Sequence, residues 1–140
     1  MKPIYPLGHS AREVARLEMQ AKLFHDPFLD ELARKSRTCL EMGCGVGSNW
    51  SVLKNVNPSL QFTGVDISQT AVDSARGFHA DATFDIMDVT LLGFTDQIFD
   101  LVFSKLVLWA VGAEFEESIR EAHRVLKPGA FFALTEHGMG

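Results

Sequence analysis

Apolar positions along the chain fall into two spacings that take turns. Val14, Leu17, Ala21 and Phe24 recur every three or four residues behind Ser10 and Glu13, an S-x-x-E capping box that opens a helix. Asp26 then Pro27 restarts a short helix to about Arg34, with proline at the favoured first position. Beyond it, short apolar runs alternate with helical spacing. Residues 38–42 read as a buried strand and 48–55 as a helix stopped near Pro58. Residues 61–65 are strand-like, and Ser68 caps a helix predicted to end at Gly77. Residues 83–87 form a weaker strand and 99–104 a stronger one. Phe115, Ile119, Ala122 and Leu126 mark one helix face, which "KPG" at 127–129 is expected to end. Residues 130–135 are the fifth strand.

Strand–helix alternation of this kind predicts a doubly wound parallel sheet with helices on both faces. Ligands in such folds bind beyond the carboxyl ends of the strands, where strand order reverses. The first strand runs directly into "CLEMGCGVGSN", with glycine at 43, 45 and 47. A turn without Cβ atoms lets the main chain approach a ligand closely. A dinucleotide fingerprint would need a third glycine at position 48, which is serine, and a P-loop would need a Gly-Lys-Ser/Thr ending. Neither pattern is present, so a nicotinamide-dependent oxidoreductase is disfavoured.

Composition narrows the partners. The chain has 140 residues, 46% hydrophobic and 22% charged, with a net charge of −5, a balance typical of one globular domain. The net negative charge and the lack of any basic run argue against nucleic acid. No long apolar segment marks a signal or a membrane span. Cys39 and Cys44 lie too close along one strand-to-loop transition for an easy disulfide, and no CxxC pair points to metal, so two free thiols in a reducing cytoplasm are expected.

The motifs "LEMGCGVGSN", "FTGVDIS" (62–68), "FDIMDVT" (84–90), "IFDLVFSKLVL" (98–108) and "EAHRVLKPGAFFAL" (121–134) follow one another in the order of the class I S-adenosylmethionine-dependent methyltransferases, which the chain resembles over nearly its whole length. The resemblance implies a Rossmann-like core at 37–140 under a helical cap at 1–36, together one domain. It implies S-adenosylmethionine as cofactor and a small-molecule methyl acceptor. Gly43, Cys44 and Gly45 would then belong to the cofactor-binding loop, with Glu41 facing the methionine end, Asp66 the ribose hydroxyls, Ile67 and Val89 the adenine faces, and Asp88 the adenine amino group. Ser104, at the end of the fourth strand, joins the implied site.

Methyl transfer from a sulfonium needs alignment above all, and a base only where the acceptor must lose a proton. Lys105, Glu136, His137 and His9 are the candidate bases, and Phe103 and Trp109 candidate pocket walls. Tyr5, His9 and Arg12 would hang over the cofactor from the cap. The family usually continues beyond a fifth strand; here that strand is expected to be an exposed edge, which predicts a homodimer through the edge or through exchanged elements. A non-catalytic module holding the cofactor for a partner chain carries the same motifs and is the alternative.

Overall fold

The computed structural model describes residues 10–23, 26–105 and 114–135. Helix α1 (Ala11–Leu23) begins where Ser10 Oγ accepts from the Glu13 amide at 3.1 Å. Helix α2 (Pro27–Arg34) is capped by Asp26, whose carboxylate accepts from the Phe28 amide at 2.9 Å, and it turns Leu29, Leu32 and Ala33 inward.

The five strands are β1 (Thr38–Met42), β2 (Gln61–Asp66), β3 (Thr83–Ile86), β4 (Phe99–Lys105) and β5 (Leu126–Thr135). They lie in the order β3-β2-β1-β4-β5, and every neighbouring pair is parallel. Helices α3 (Ser48–Val56), α4 (Gln69–Phe78) and α5 (Phe115–Val125) fall between strands. Order reverses between β1 and β4, so the carboxyl ends of β1, β2 and β4 flank the expected ligand crevice.

Strand alternation divides the core. Cys39 and Phe103 face α2, α3 and α4 beside Leu29, Trp50, Leu53 and Phe62. Leu40 and Met42 face α5 beside Val65, Val102, Ala122 and Val125. Trp50 stacks on Phe62 at 5.1 Å between ring centroids and donates from Nε1 to Asp81 at 2.8 Å. Glu41 lies between Leu40 and Met42 in sequence, so alternation turns it to the same face as Cys39, into apolar surroundings.

Two expectations are corrected. Helix α4 passes through Gly77 to Phe78 and stops at extended His79, because Gly77 keeps helical geometry instead of turning left-handed. Strand β5 starts at Leu126, four residues early: "KPG" is absorbed as a bulge between the pairs Phe99↔Leu126 and Leu101↔Phe131. Gly129 takes φ +78° there, and Lys127 reaches Asp100 at 3.1 Å. Of the two places open to Phe103, pocket wall or core, it takes the core, facing Phe62 at 6.3 Å under the helices. Among the described residues no helix is long and apolar enough to cross a membrane.

Candidate functional site

The loop after β1 is built from three glycines that serve three purposes. All take positive φ, at +82° for Gly43, +56° for Gly45 and +86° for Gly47, a region where a Cβ costs about 1–2 kcal/mol. Gly43 makes the turn: its amide and that of Cys44 both donate to the Val65 carbonyl, at 2.8 and 2.9 Å. Gly47 caps α3 in a packed corner, where an added Cβ would meet His79 Cδ2 at 2.9 Å and the Phe84 ring at 3.0 Å. Gly45 differs, since among the described residues a Cβ there would meet nothing within 4 Å. Its bare backbone borders open space, as a glycine presented to a ligand would.

Asp66 fixes that presentation. It ends β2 only 2% exposed, and its two oxygens accept from the Gly45 amide at 2.9 Å and the Ser68 amide at 3.0 Å. Ser68 caps α4, accepting from the Ala71 amide at 3.2 Å, so the cap role does not fall to Asp66.

Glu41 is the costly member of the site. It is 1% exposed, and Oε2 accepts from Asn49 Nδ2 at 2.7 Å, while Oε1 has no hydrogen-bond partner among the described residues. Burial raises its pKa from 4.5 to about 8; the Asn49 hydrogen bond and the charge of Lys105 pull it down, and Asp66 pushes it up. Folding therefore protonates Glu41 at neutral pH, whereas the unfolded chain ionises it above about 4.5. Its cost to stability is absent in acid and grows as pH rises toward 8. Glu41→Gln is expected to match the unaltered chain in urea unfolding near pH 4.5 and to exceed it by about 2–4 kcal/mol near pH 8.5. Equal stabilities in the alkaline sample would show that Glu41 ionises freely.

The other expected residues occupy different environments. Cys44 points its side chain under the loop, 5% exposed against Gly64, and burial raises the thiol pKa well above 9.0, so it lends the site only backbone. Ile67 is half-buried, and Val89 sits in the core beside Leu92. Asp88 is exposed and holds its own turn, accepting from the Thr90 amide at 2.9 Å and hydroxyl at 2.7 Å. Ser104 is fully buried, and its hydroxyl donates to the Met42 carbonyl at 3.0 Å, stitching β4 to the strand that carries Glu41. Lys105 stands half-buried at the end of β4. Arg12 is exposed on α1. Tyr5, His9, Trp109, Glu136 and His137 lie outside the described residues.

Two residues escaped the sequence reading. Asn49 is the hydrogen-bond partner of Glu41, and its one signal is a polar residue in the first turn of the helix after the glycines. His79, 4% exposed, backs the loop behind Gly47 with Nε2 3.5 Å from Glu18 of α1, and Ser51 donates to the same Glu18 oxygen at 3.0 Å. That cluster ties α1 to α3 and to the rear of the glycine loop; the sequence around His79 offers no motif for it.

Residues 40–134, from the middle of β1 to the end of β5, match the family model described as "Methyltransferase domain". The chain belongs to the methyltransferase domain family. Within it, the chain is similar to ajmaline N-methyltransferase of Rauvolfia serpentina, at 31% identity over 137 residues that cover 93% of this chain and 45% of that protein. Among solved structures it is similar to a SAM-dependent methyltransferase of Methanosarcina mazei, with TM-score 0.70 and 26% identity over 78% of this chain and 56% of that one. It is also similar to the [4+2]-cyclase SpnF, with TM-score 0.65 and 30% identity over 78% of this chain and 44% of that one. The chain spans less than half the length of the curated relatives it matches.

Proposed function

We propose that this chain is the cofactor-binding core of an S-adenosylmethionine-dependent methyltransferase that acts on a small-molecule acceptor. The observation that carries this reading is the open space at Gly45, whose amide is held in place by buried Asp66. The site fits the cofactor: the glycine backbone forms a cradle that a side chain would fill, and Glu41 has a buried oxygen suited to an ammonium. Bound there, S-adenosylmethionine would supply a methyl group already activated by its sulfonium. The chain's own task is to bind, orient and exclude water. Asp66 accepts from the ribose hydroxyls, Glu41 faces the methionine end, and Ile67, Asp88 and Val89 flank the adenine. Ser104 acts through the Met42 carbonyl. Residues 1–36 form the helical cap and 37–140 the core of a single domain.

Calorimetry with S-adenosylmethionine, its demethylated product and NAD tests this reading. Micromolar binding of the first two without NAD is expected, and binding of NAD alone would replace the reading with a redox one. The alternative is a module that holds the cofactor without catalysis, or a core that needs a partner chain. Transfer of labelled methyl to a panel of small amines and alcohols separates the two. The free, buried thiols of Cys39 and Cys44 favour a reducing, cytoplasmic setting.

The homodimer is part of the same proposal. Strand β5 lies at one edge of the sheet among the described residues, with Phe131 50% and Leu134 39% exposed along it. An apolar edge recruits another strand. Light scattering from micromolar to high micromolar concentration is expected to report a two-chain mass. A monomer throughout would mean that the edge is covered from within.

A further inference from the structure

Lys105 is the only one of the four candidate bases that falls among the described residues, and its surroundings suit it to a different task. Glu41 pairs in register with Phe103 across β1 and β4, and Lys105 stands two residues further along β4, on the same face by alternation. It lines a narrow crevice with Leu29, Asp30, Asn49, Val52 and Leu53, and Asn49 is the residue that donates to Glu41. We propose that Lys105 is a positioning residue for Glu41, its ammonium supplying the counter-charge that lets Glu41 stand as a carboxylate where the cofactor's ammonium arrives. The proposal rests on the reading of the glycine loop, Glu41 and Asp66 as a site for S-adenosylmethionine.

The charges around the pair give it a sign. Glu41 faces Asp66 from β2 and Lys105 from β4, together with the thiols of Cys39 and Cys44, which burial keeps protonated. Lys105 faces Glu41, Asp26 and Asp30. Burial lowers the pKa of Lys105, and the charges of Glu41, Asp26 and Asp30 oppose that shift without cancelling it. A proton taken from Lys105 would leave Asp26, Asp30 and, once it ionises, Glu41 without that cation, which suits it to the part of counter-ion. Without Lys105, Glu41 would face Asp66 with the Asn49 amide as its remaining support and would keep its proton to higher pH. Cofactor binding would then fail first on the acid side.

The test is calorimetry of S-adenosylmethionine from about pH 6 to about pH 9 with the unaltered chain, Lys105→Met and Lys105→Arg. A second probe, 5′-methylthioadenosine, lacks the ammonium. Lys105→Met is expected to bind S-adenosylmethionine about tenfold more weakly near pH 7, as a tenfold smaller ionised fraction of Glu41 would give, with the gap closing toward pH 9. Lys105→Arg should follow the unaltered chain, and methylthioadenosine should bind all three alike. A gap that is the same at every pH, an equal loss of methylthioadenosine binding, or no gap overturns the assignment. If the unaltered chain binds methylthioadenosine but not S-adenosylmethionine, the inference falls while the adenosine pocket stands; if it binds neither, the pocket reading itself fails.

Discussion

Gly45→Ala is expected to weaken cofactor binding while leaving the fold standing, and Gly64→Ala to cost stability instead. Among the described residues a Cβ on Gly45 meets nothing within 4 Å, so the apo chain bears the left-handed backbone cost of about 1–2 kcal/mol. That same Cβ occupies the space proposed for the ligand and should weaken S-adenosylmethionine binding at least about tenfold. Gly64, inside β2, has ordinary backbone angles but no room. Its added Cβ would lie 2.7 Å from Cys44 Cβ, 2.9 Å from Cys44 Sγ and 2.9 Å from Phe84 Cδ1. These are a loop and a core ring held from several sides, and overpacking of this kind costs about 1–3 kcal/mol or more. Urea midpoints and cofactor affinities of the two variants should therefore separate cleanly. A Gly45→Ala chain that binds normally would mean that the glycine loop is not the cradle. A Gly64→Ala chain of unaltered stability would show that the Cys44 corner yields.

What was legible in the sequence was what local periodicity and spacing encode. The buried strands, the capping at Ser10, Asp26 and Ser68 and the acid-before-glycine motif each declare themselves within a few residues. The end of α5 did not, because Lys127-Pro128-Gly129 has the composition of a terminating turn. The parallel partner Phe99 instead pairs with Leu126, before the tripeptide, and the register then skips to Phe131. Pairing across the sheet outweighed local turn chemistry, and no local pattern reports it. Phe103 stays open between core and pocket wall for a related reason: residues alternate between the two faces of β4, and sequence does not say which face carries the ligand. Within the site, the glycines looked equivalent in the chain, yet a Cβ at Gly45 would meet open space, whereas Gly47 is dictated by His79 and Phe84 from distant segments. Glu41 was read as a ligand-facing acid. Its raised pKa, and its dependence on Asn49 and Lys105, arise from three elements closing over it and are visible only once the fold is in place.

Replacement of Asp66 is expected to have the widest effect, because one carboxylate serves both the architecture and the proposed ligand. In the absence of cofactor it accepts the amides of Gly45 and Ser68, coupling the glycine loop to the start of α4. Asp66→Ala leaves both amides without that acceptor, at about 1–3 kcal/mol each where they stay buried. It also removes the acceptor proposed for the ribose diol, so S-adenosylmethionine affinity should fall by about tenfold or more. Asp66→Asn separates the two effects. Its single carbonyl oxygen can keep one amide, and its NH₂ group donates where the other oxygen accepted, so part of the stability returns. A diol that donates two hydrogen bonds to a carboxylate loses one of them to the amide NH₂, so binding stays weak. Paired urea unfolding and calorimetry on both variants should show stability partly restored in Asp66→Asn and affinity depressed in both. Affinity that tracks stability, recovering with the asparagine, would mean that Asp66 serves the ligand only by holding Gly45 in place; unaltered affinity in Asp66→Ala would take it out of the site altogether.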